Sequence, residues 1–410
     1  MIAFLFAFFT VFNISGITAH CADRQEISFS NIKSIMIENS IDMKIADNNL
    51  KNTKQELQKI NDKIEDLGYK CSSIKKSIST LESEVEALED EIKTLKSEIS
   101  SLPEGDESLA SKNAALADKT ETLTKKQSDL SKLEAYKTQR TTAQRNSKKA
   151  ELTYNQTVEQ AVYKAQQSYV SCLSNSYQLE NKENVLGYNQ KKSDIYKLQY
   201  ESGFLSKKDY ENSLRDNTDS ENEITELKNK QETLLDNLKL TLGISQGDEI
   251  TLSNNIQTDL NEVASISYKE DLKEMLKNST DITIADLELQ WAKDDDDEED
   301  EEDDDDYENY SLENKELSLD KLQLTSEINF KEKYNTLMTS YNSLKSSYDK
   351  LQQSQQDYID DSRKYSYGFI TKNDLEKTKL DLDGKMSDFN NARNEFYLKY
   401  LEYSQMKEGY

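Results

Sequence analysis

One histidine, His20, serves a chain of 410 residues. Past it there is none, which removes histidine triads, histidine general bases and histidine-ligated zinc. Proline occurs once and glycine ten times, so turn formers are scarce. Of three cysteines, Cys21 closes an apolar leader, and Cys71 and Cys172 lie too far apart in sequence to read as a disulfide scaffold. No glycine-rich phosphate loop and no paired catalytic motif is present. The chain reads as a non-enzyme: no catalytic residue, cofactor-binding residue or metal ligand is nominated.

Long apolar runs are also missing, except at the start. MIAFLFAFFTVFNISGITAHCA resembles a secretory signal, and residues 1–22 are expected to be one. Asn13, Ser15 and Gly16 interrupt what would otherwise cross a bilayer. His20 stands where a lipoprotein signal needs a small residue, which argues against lipidation of Cys21. The chain is therefore expected to be exported to the cell envelope or surface.

Charge of one sign dominates. The net charge is -27, and thirteen of the negatives form the run DDDDEEDEEDDDD at 294–306. An acidic chain repels phosphate backbones, so no nucleic acid is expected as a partner. The run itself reads as a self-repelling solvated loop, disordered over 293–312. Divalent-cation buffering or contact with a basic surface are the other readings. It does not match an EF-hand, which needs spaced ligands and a central glycine.

What is plentiful is helix-forming sequence: charged residues are 32% and hydrophobic residues 35% of the chain. Leu57, Ile60, Ile64, Leu67, Cys71, Ile74, Ile78, Leu81, Val85 and Leu88 alternate spacings of three and four, and Ile92, Leu95, Ile99 and Leu102 continue the seam. Cys71 is expected there as a small buried residue. SLPEGDES then breaks the helix near 103–107, and Leu109, Leu116, Leu123 and Leu130 resume at sevenfold spacing. Two heptad arms joined by a short turn predict an antiparallel coiled-coil hairpin over 50–145.

The chain repeats itself. Asn39, Ser40, Asp42, Ile45, Ala46 and Asp47 recur as Asn278, Ser279, Asp281, Ile284, Ala285 and Asp286, 239 positions later. YESGFLSKKDYENS recurs as YSYGFITKNDLEKT, 165 positions later. The first copy thus holds 74 more residues between its motifs than the second. Half of that, at about 1.5 Å per residue, adds roughly 55 Å of hairpin. The expected organisation is repeat 1 over 28–245, a linker over 246–268 and repeat 2 over 269–408.

In each elbow, Gly203 or Gly368 can take the left-handed conformation that ends a helix. Ser206 and Thr371 are good N-caps for the next helix, and Asp209 and Asp374 lie three residues on, where a capping-box acid reaches back. Helices are expected to follow over 208–242 and 373–406. The apolar pairs Phe204-Leu205 and Phe369-Ile370 either staple the turn or present a docking surface.

These residues together resemble the TolC-type outer-membrane efflux family. Its members carry an NPDLKIA-like start and a YxxGxxSxxDxLxA-like elbow in each of two repeats, joined by a segment like LLGxxxG, here Leu242-Gly243 to Gly247. The resemblance covers roughly 28–60, 148–290 and 315–408; its strength lies in the ordered set occurring twice. It implies trimers whose helices close a hollow tunnel for solute export. It also implies an adaptor (membrane-fusion) protein, met by the helical tips, and an inner-membrane or cytoplasmic-membrane transporter. By position, Gly203, Phe204, Leu205, Ser206, Asp209, Gly368, Phe369, Ile370, Thr371 and Asp374 match the tips. One departure stands out. Family members place β-hairpins between start and elbow, which close an outer-membrane barrel. This chain has the heptad hairpin in one copy and the acidic run in the other, and carboxylates cannot face lipid. The expectation is an all-α chain of long antiparallel coiled-coil helices without a β-barrel. The resemblance implies that it acts in efflux or secretion, at the outer membrane if the cell has one. The competing reading is a structural or adhesive surface coiled coil without transport.

Overall fold

Long heptad segments with few breakers give long helices, and among the described residues five glycines at positive φ stand just after helix ends. The computed structural model describes residues 25–104, 106–254, 256, 266–300 and 310–410. The expected leader, Gly105 of the hairpin turn, most of 255–265 and acidic residues 301–309 lie outside the described residues.

The described chain is helical almost throughout. Strand β1 (Gln25–Ile27) leads into α1 (Ile32–Asn39) and α2 (Ile41–Asp66). After a break come α3 (Ile74–Ser101), α4 (Leu109–Glu201) and α5 (Lys207–Leu242). Strand β2 (Ile250–Leu252) precedes α6 (Tyr268–Asn278), α7 (Thr280–Asp300), α8 (Tyr310–Ser366) and α9 (Lys372–Lys407). The backbone of the fold is a row of four helices in which α5 packs on α4, α4 on α9 and α9 on α8. α1, α2, α3 and α7 add to α4, and α6 to α8 and α9. No closed barrel forms among the described residues, and no described helix is long and apolar enough to cross a membrane.

The distal hairpin pairs α3 with α4. Lys112, Lys119 and Lys126 reach Glu98, Glu91 and Glu84, one pair per heptad. Each pair is exposed and worth little alone, but the even spacing holds one antiparallel register.

Three expectations need correction. The first arm of the hairpin is not one helix. Gly68 takes φ +88° after α2, and Tyr69 N–H donates to the Ile64 carbonyl at 3.2 Å. The heptad spacing runs across this break because the 3₁₀ turn Cys71–Ser73 returns Ile74 to the seam against Ile64, Ile78, Leu81 and Leu133. Cys71 is therefore half-buried in a turn, its thiol 3.6 Å from the Asn61 carbonyl, rather than buried in a helix.

Second, helix α7 runs into the acidic stretch as far as Asp300, and α8 begins at Tyr310, so both helices enter the loop expected over 293–312. A clamp from α4 holds the entry. Both terminal nitrogens of Arg145 donate to Asp295 at 2.7 Å, and its guanidinium lies 5.5 Å from the Trp291 ring centre. Lys149 bonds Glu288, and Lys293 pairs with Glu316. The Arg145 hydrogen bonds hold the Asp295 carboxyl below its ordinary range. Paired charges thus carry the helix where unpaired ones repel.

Third, the linker contains a strand. β2 pairs in parallel with β1, Gln25 opposite Ile250 and Ile27 opposite Leu252. Ile27 is fully buried against the core of α1, α4 and α5, and the Tyr169 hydroxyl donates to the Ser253 carbonyl.

Each repeat ends on a glycine seated against its own start. A Cβ on Gly243 (φ +73°) would lie 2.4 Å from the Asn39 carbonyl oxygen, and one on Gly409 (φ +94°) 2.0 Å from that of Asn278. Ser40 and Ser279, next in sequence, are buried: Ser40 is the N-cap residue of α2, and Ser279 Oγ accepts from Ile282 N–H in the first turn of α7. Gly243→Ala and Gly409→Ala should each cost about 1–3 kcal/mol, since the backbone conformation and the contact are both lost. Gly187→Ala, in open space within α4, should instead be neutral or gain up to about 1 kcal/mol. Urea unfolding of the three variants checks this, and a neutral Gly409→Ala would remove the proposed seat.

Candidate elbow surface

Both elbows are built by the same local chemistry. Gly203 has φ +79° and Gly368 φ +75°, and neither would meet an atom within 4 Å if it carried a Cβ. The glycines are there for their conformation, not for space. In each elbow the residue after the glycine closes the helix: Phe204 N–H donates to the Gln199 carbonyl, and Phe369 N–H to that of Lys364, both at 2.8 Å.

The next helix is capped as the residues imply, with one difference. Asp209 N–H donates to Ser206 Oγ at 3.1 Å, and Asp374 N–H to Thr371 Oγ1 at 3.2 Å. The reach-back of the capping box closes only in the second elbow, where Thr371 N–H donates to Asp374 Oδ2 at 2.9 Å. In the first, the Ser206 hydroxyl donates to Asp209 Oδ2 at 2.6 Å. α5 and α9 begin at Lys207 and Lys372, one residue before the expected starts.

The apolar pairs divide. Phe204 is 85% and Phe369 78% exposed, whereas Leu205 and Ile370 are half-buried. So one residue of each pair secures the turn and the other stands in solvent; the two sequence readings apply to different residues. Sequence reasoning missed Tyr367, exposed beside Phe369 with ring centres 6.4 Å apart. Its place in the first elbow is taken by Ser202, so the repeat concealed it. At the first elbow, Tyr200 stacks on Tyr210 at 5.5 Å instead.

The two elbows lie at one end of the molecule. α4 and α9 are antiparallel: Gln405 donates to the Glu159 carbonyl at 3.1 Å, Ser387 to the Tyr177 carbonyl at 3.4 Å, and Lys191 pairs with Glu376 at 3.3 Å. This register lets α4 overshoot the start of α9 by roughly six to nine residues, or ~9–14 Å. Leu198, one heptad beyond Lys191, is exposed for that reason. The elbow surface is therefore a pair of apolar knobs, the first standing farther out.

Charge around the second elbow is locally paired. Asp361 bonds Lys364 at 2.8 Å and accepts from the Thr378 hydroxyl at 2.6 Å, and both bonds hold its carboxyl low.

No protein-family model and no curated protein matches the chain. Among solved structures, the chain is similar to TolC-like outer-membrane channels. One is the outer membrane protein VceC of Vibrio cholerae, at 13% identity and TM-score 0.46, covering 67% of this chain and 76% of that one. Another is the CmeC outer membrane channel of Campylobacter jejuni, at 11% identity and TM-score 0.48, covering 67% and 68%.

The hydroxyl and backbone N–H of Thr371 hold the Asp374 carboxyl below its ordinary 3.8. A carboxylate depressed in the folded state adds stability above its unfolded pKa and loses it as pH falls through the folded value. The second elbow's cap should thus be intact above pH 3.8 and weaken only below it. Thr371→Ala should cost about 1 kcal/mol at neutral pH. Amide exchange of Leu375 and its neighbours as a function of pH reads both effects; protection unchanged by Thr371→Ala would show that the cap does not hold the elbow.

Proposed function

We propose that this chain is an exported, TolC-like envelope component of an efflux or secretion system. It docks through its two elbows to an adaptor (membrane-fusion) protein and contributes helices to a conduit for solute export. The conduit is assembled from three copies and coupled to a transporter in the inner or cytoplasmic membrane. The observation that carries this reading is the pair of capped elbows at one end, each presenting an exposed phenylalanine on a turn fixed by glycine and cap. An aromatic ring held in water costs solvation free energy, and a rigid turn lowers the entropy lost on docking. Two such knobs on one chain support a partner that contacts both. The two repeats, each running from an Asn-Ser start through an elbow to a seated glycine, support a shared plan for the two knobs.

The alternative is a structural or adhesive coiled coil. The ion-pair ladder between α3 and α4 favours it, because a hairpin locked in one register also serves as a passive spacer. Thiol cross-linking in cells separates the readings. With Phe204→Cys and Phe369→Cys, the export reading expects capture of a membrane-anchored protein whose sequence contains a helical hairpin, identified by mass spectrometry. It also expects Phe204→Asp with Phe369→Asp to abolish export without loss of helix content. Capture of nothing but further copies of the chain would leave the spacer reading standing alone.

A further inference from the structure

Repetition gives the chain two starts and two ends, and only one pairing of them is native. Repeat 1 packs α1 on α5, and repeat 2 packs α6 on α9. The backbones of the two seats match. Ser40 N–H donates to the Met36 carbonyl at 2.9 Å, and Ser279 N–H to the Met275 carbonyl at 2.8 Å. Each Asn-Ser step lies against a left-handed glycine, Gly243 or Gly409. Shape alone therefore lets α6 sit where α1 sits.

Connectivity favours that error. Ile32 lies 206 positions before Leu238 of α5, whereas Asp271, which takes the place of Ile32 in the second start, lies 33 positions after it. Closure of a loop falls off as roughly the three-halves power of its length, so the wrong pairing is favoured about fifteenfold.

The side chains oppose it. In the first seat Ile32, Ile35 and Met36 of α1 join Leu238 and Leu242 of α5 in one buried core. Moving on by one repeat turns Ile32 and Ile35 into Asp271 and Glu274, and Leu238 and Leu242 into Tyr403 and Lys407. The second seat is thus polar where the first is apolar. Asp271 is buried; it accepts from the Tyr403 hydroxyl at 2.8 Å and pairs with Lys407 at 2.7 Å. Lys407 also reaches Glu274 at 3.2 Å. The hydrogen bond to Asp271 holds the Lys407 ammonium above its ordinary range, so its charge persists at neutral pH.

We infer that Asp271, Tyr403 and Lys407 form a pairing code that directs α6 to α9 and bars it from the end of α5. Seated on α5, the Asp271 carboxylate would be buried against Leu238 and Leu242 with no donor. Seated on α9, α1 would leave Lys407 and the Tyr403 hydroxyl facing Ile32 and Ile35. Each wrong pairing buries a polar group that the right one satisfies, and this outweighs the advantage of the shorter loop. A buried ion pair adds little net stability over apolar residues of like size, so its value here lies in choosing between alternatives. Neither elbow, partner nor second copy is involved, so failure of the pairing code leaves the export reading untouched.

Spin labels test the code in the full chain with Cys21→Ala and Cys71→Ala; Cys172 is fully buried and takes no label. Asn237→Cys of α5 and Lys277→Cys of α6, both exposed, report by their separation whether α6 sits on α9 or on α5. Asp271→Ile with Glu274→Ile gives α6 an apolar face while α9 keeps Tyr403 and Lys407. Amide protection of α6 should then fall by about tenfold or more, and return when Tyr403→Phe and Lys407→Leu are added. In that fourfold variant both ends accept either start, and a second, shorter distance should appear in about a tenth of the molecules or more. A single native distance in the fourfold variant, with α6 protected, would show that shape selects the seat. Loss of α6 protection in it would show that the ion pair merely holds the seat. Either result, or unchanged protection in the twofold variant, overturns the inference.

Discussion

Everything in this molecule turns on a helix terminated by a glycine in the left-handed conformation, with the next residue's N–H bonded back to the carbonyl five positions earlier. The arrangement recurs at Gly68, Gly203, Gly243, Gly368 and Gly409. In a chain with one proline, no other residue stops a long helix so sharply. Two of the five make the elbows, two seat the end of each repeat against its Asn-Ser start, and one breaks the distal hairpin. The helices between them are held by narrow seams rather than a thick interior, so their ends decide their register.

The seams divide labour in a way the chemistry explains. Where one chain packs on itself, Tyr397, Leu398 and Leu401 of α9 close the apolar core of α4, and exposed ion pairs and side chain to carbonyl bonds lie beside them. Where leucines and isoleucines stand open on α2, α5 and α8, the surface carries more apolar area than a solvated helix needs. The elbows concentrate the same imbalance at one end. Phe204 and Phe369 are left in water by turns that bury their neighbours Leu205 and Ile370. A molecule arranged this way has sides suited to further helices and an end suited to a partner.

Much of the candidate site was legible in the sequence because its determinants are local. A glycine, a hydroxyl three residues on and an aspartate three further specify an elbow within seven positions, and the structure has both. The hidden parts depended on distance. The exposure of Leu198 comes from the register of α4 against α9, set by pairs such as Lys191 and Glu376. The β1–β2 ladder joins Gln25 to Ile250, and three-residue strands carry no periodicity to read. The break at Gly68 was masked because Leu67, Cys71 and Ile74 keep heptad spacing across it. The acidic helix outran its composition because Arg145 lies close to it.

By itself the sequence determined the helices, their stops and the twofold plan, since backbone propensity, capping and periodicity act over a few residues. Only the tertiary structure decided which apolar residues face water, how far one elbow overshoots the other and which carboxylates find a cation. Those depend on contacts between residues a hundred or more positions apart, and their free energy is set by the neighbour that arrives, not by the residue alone.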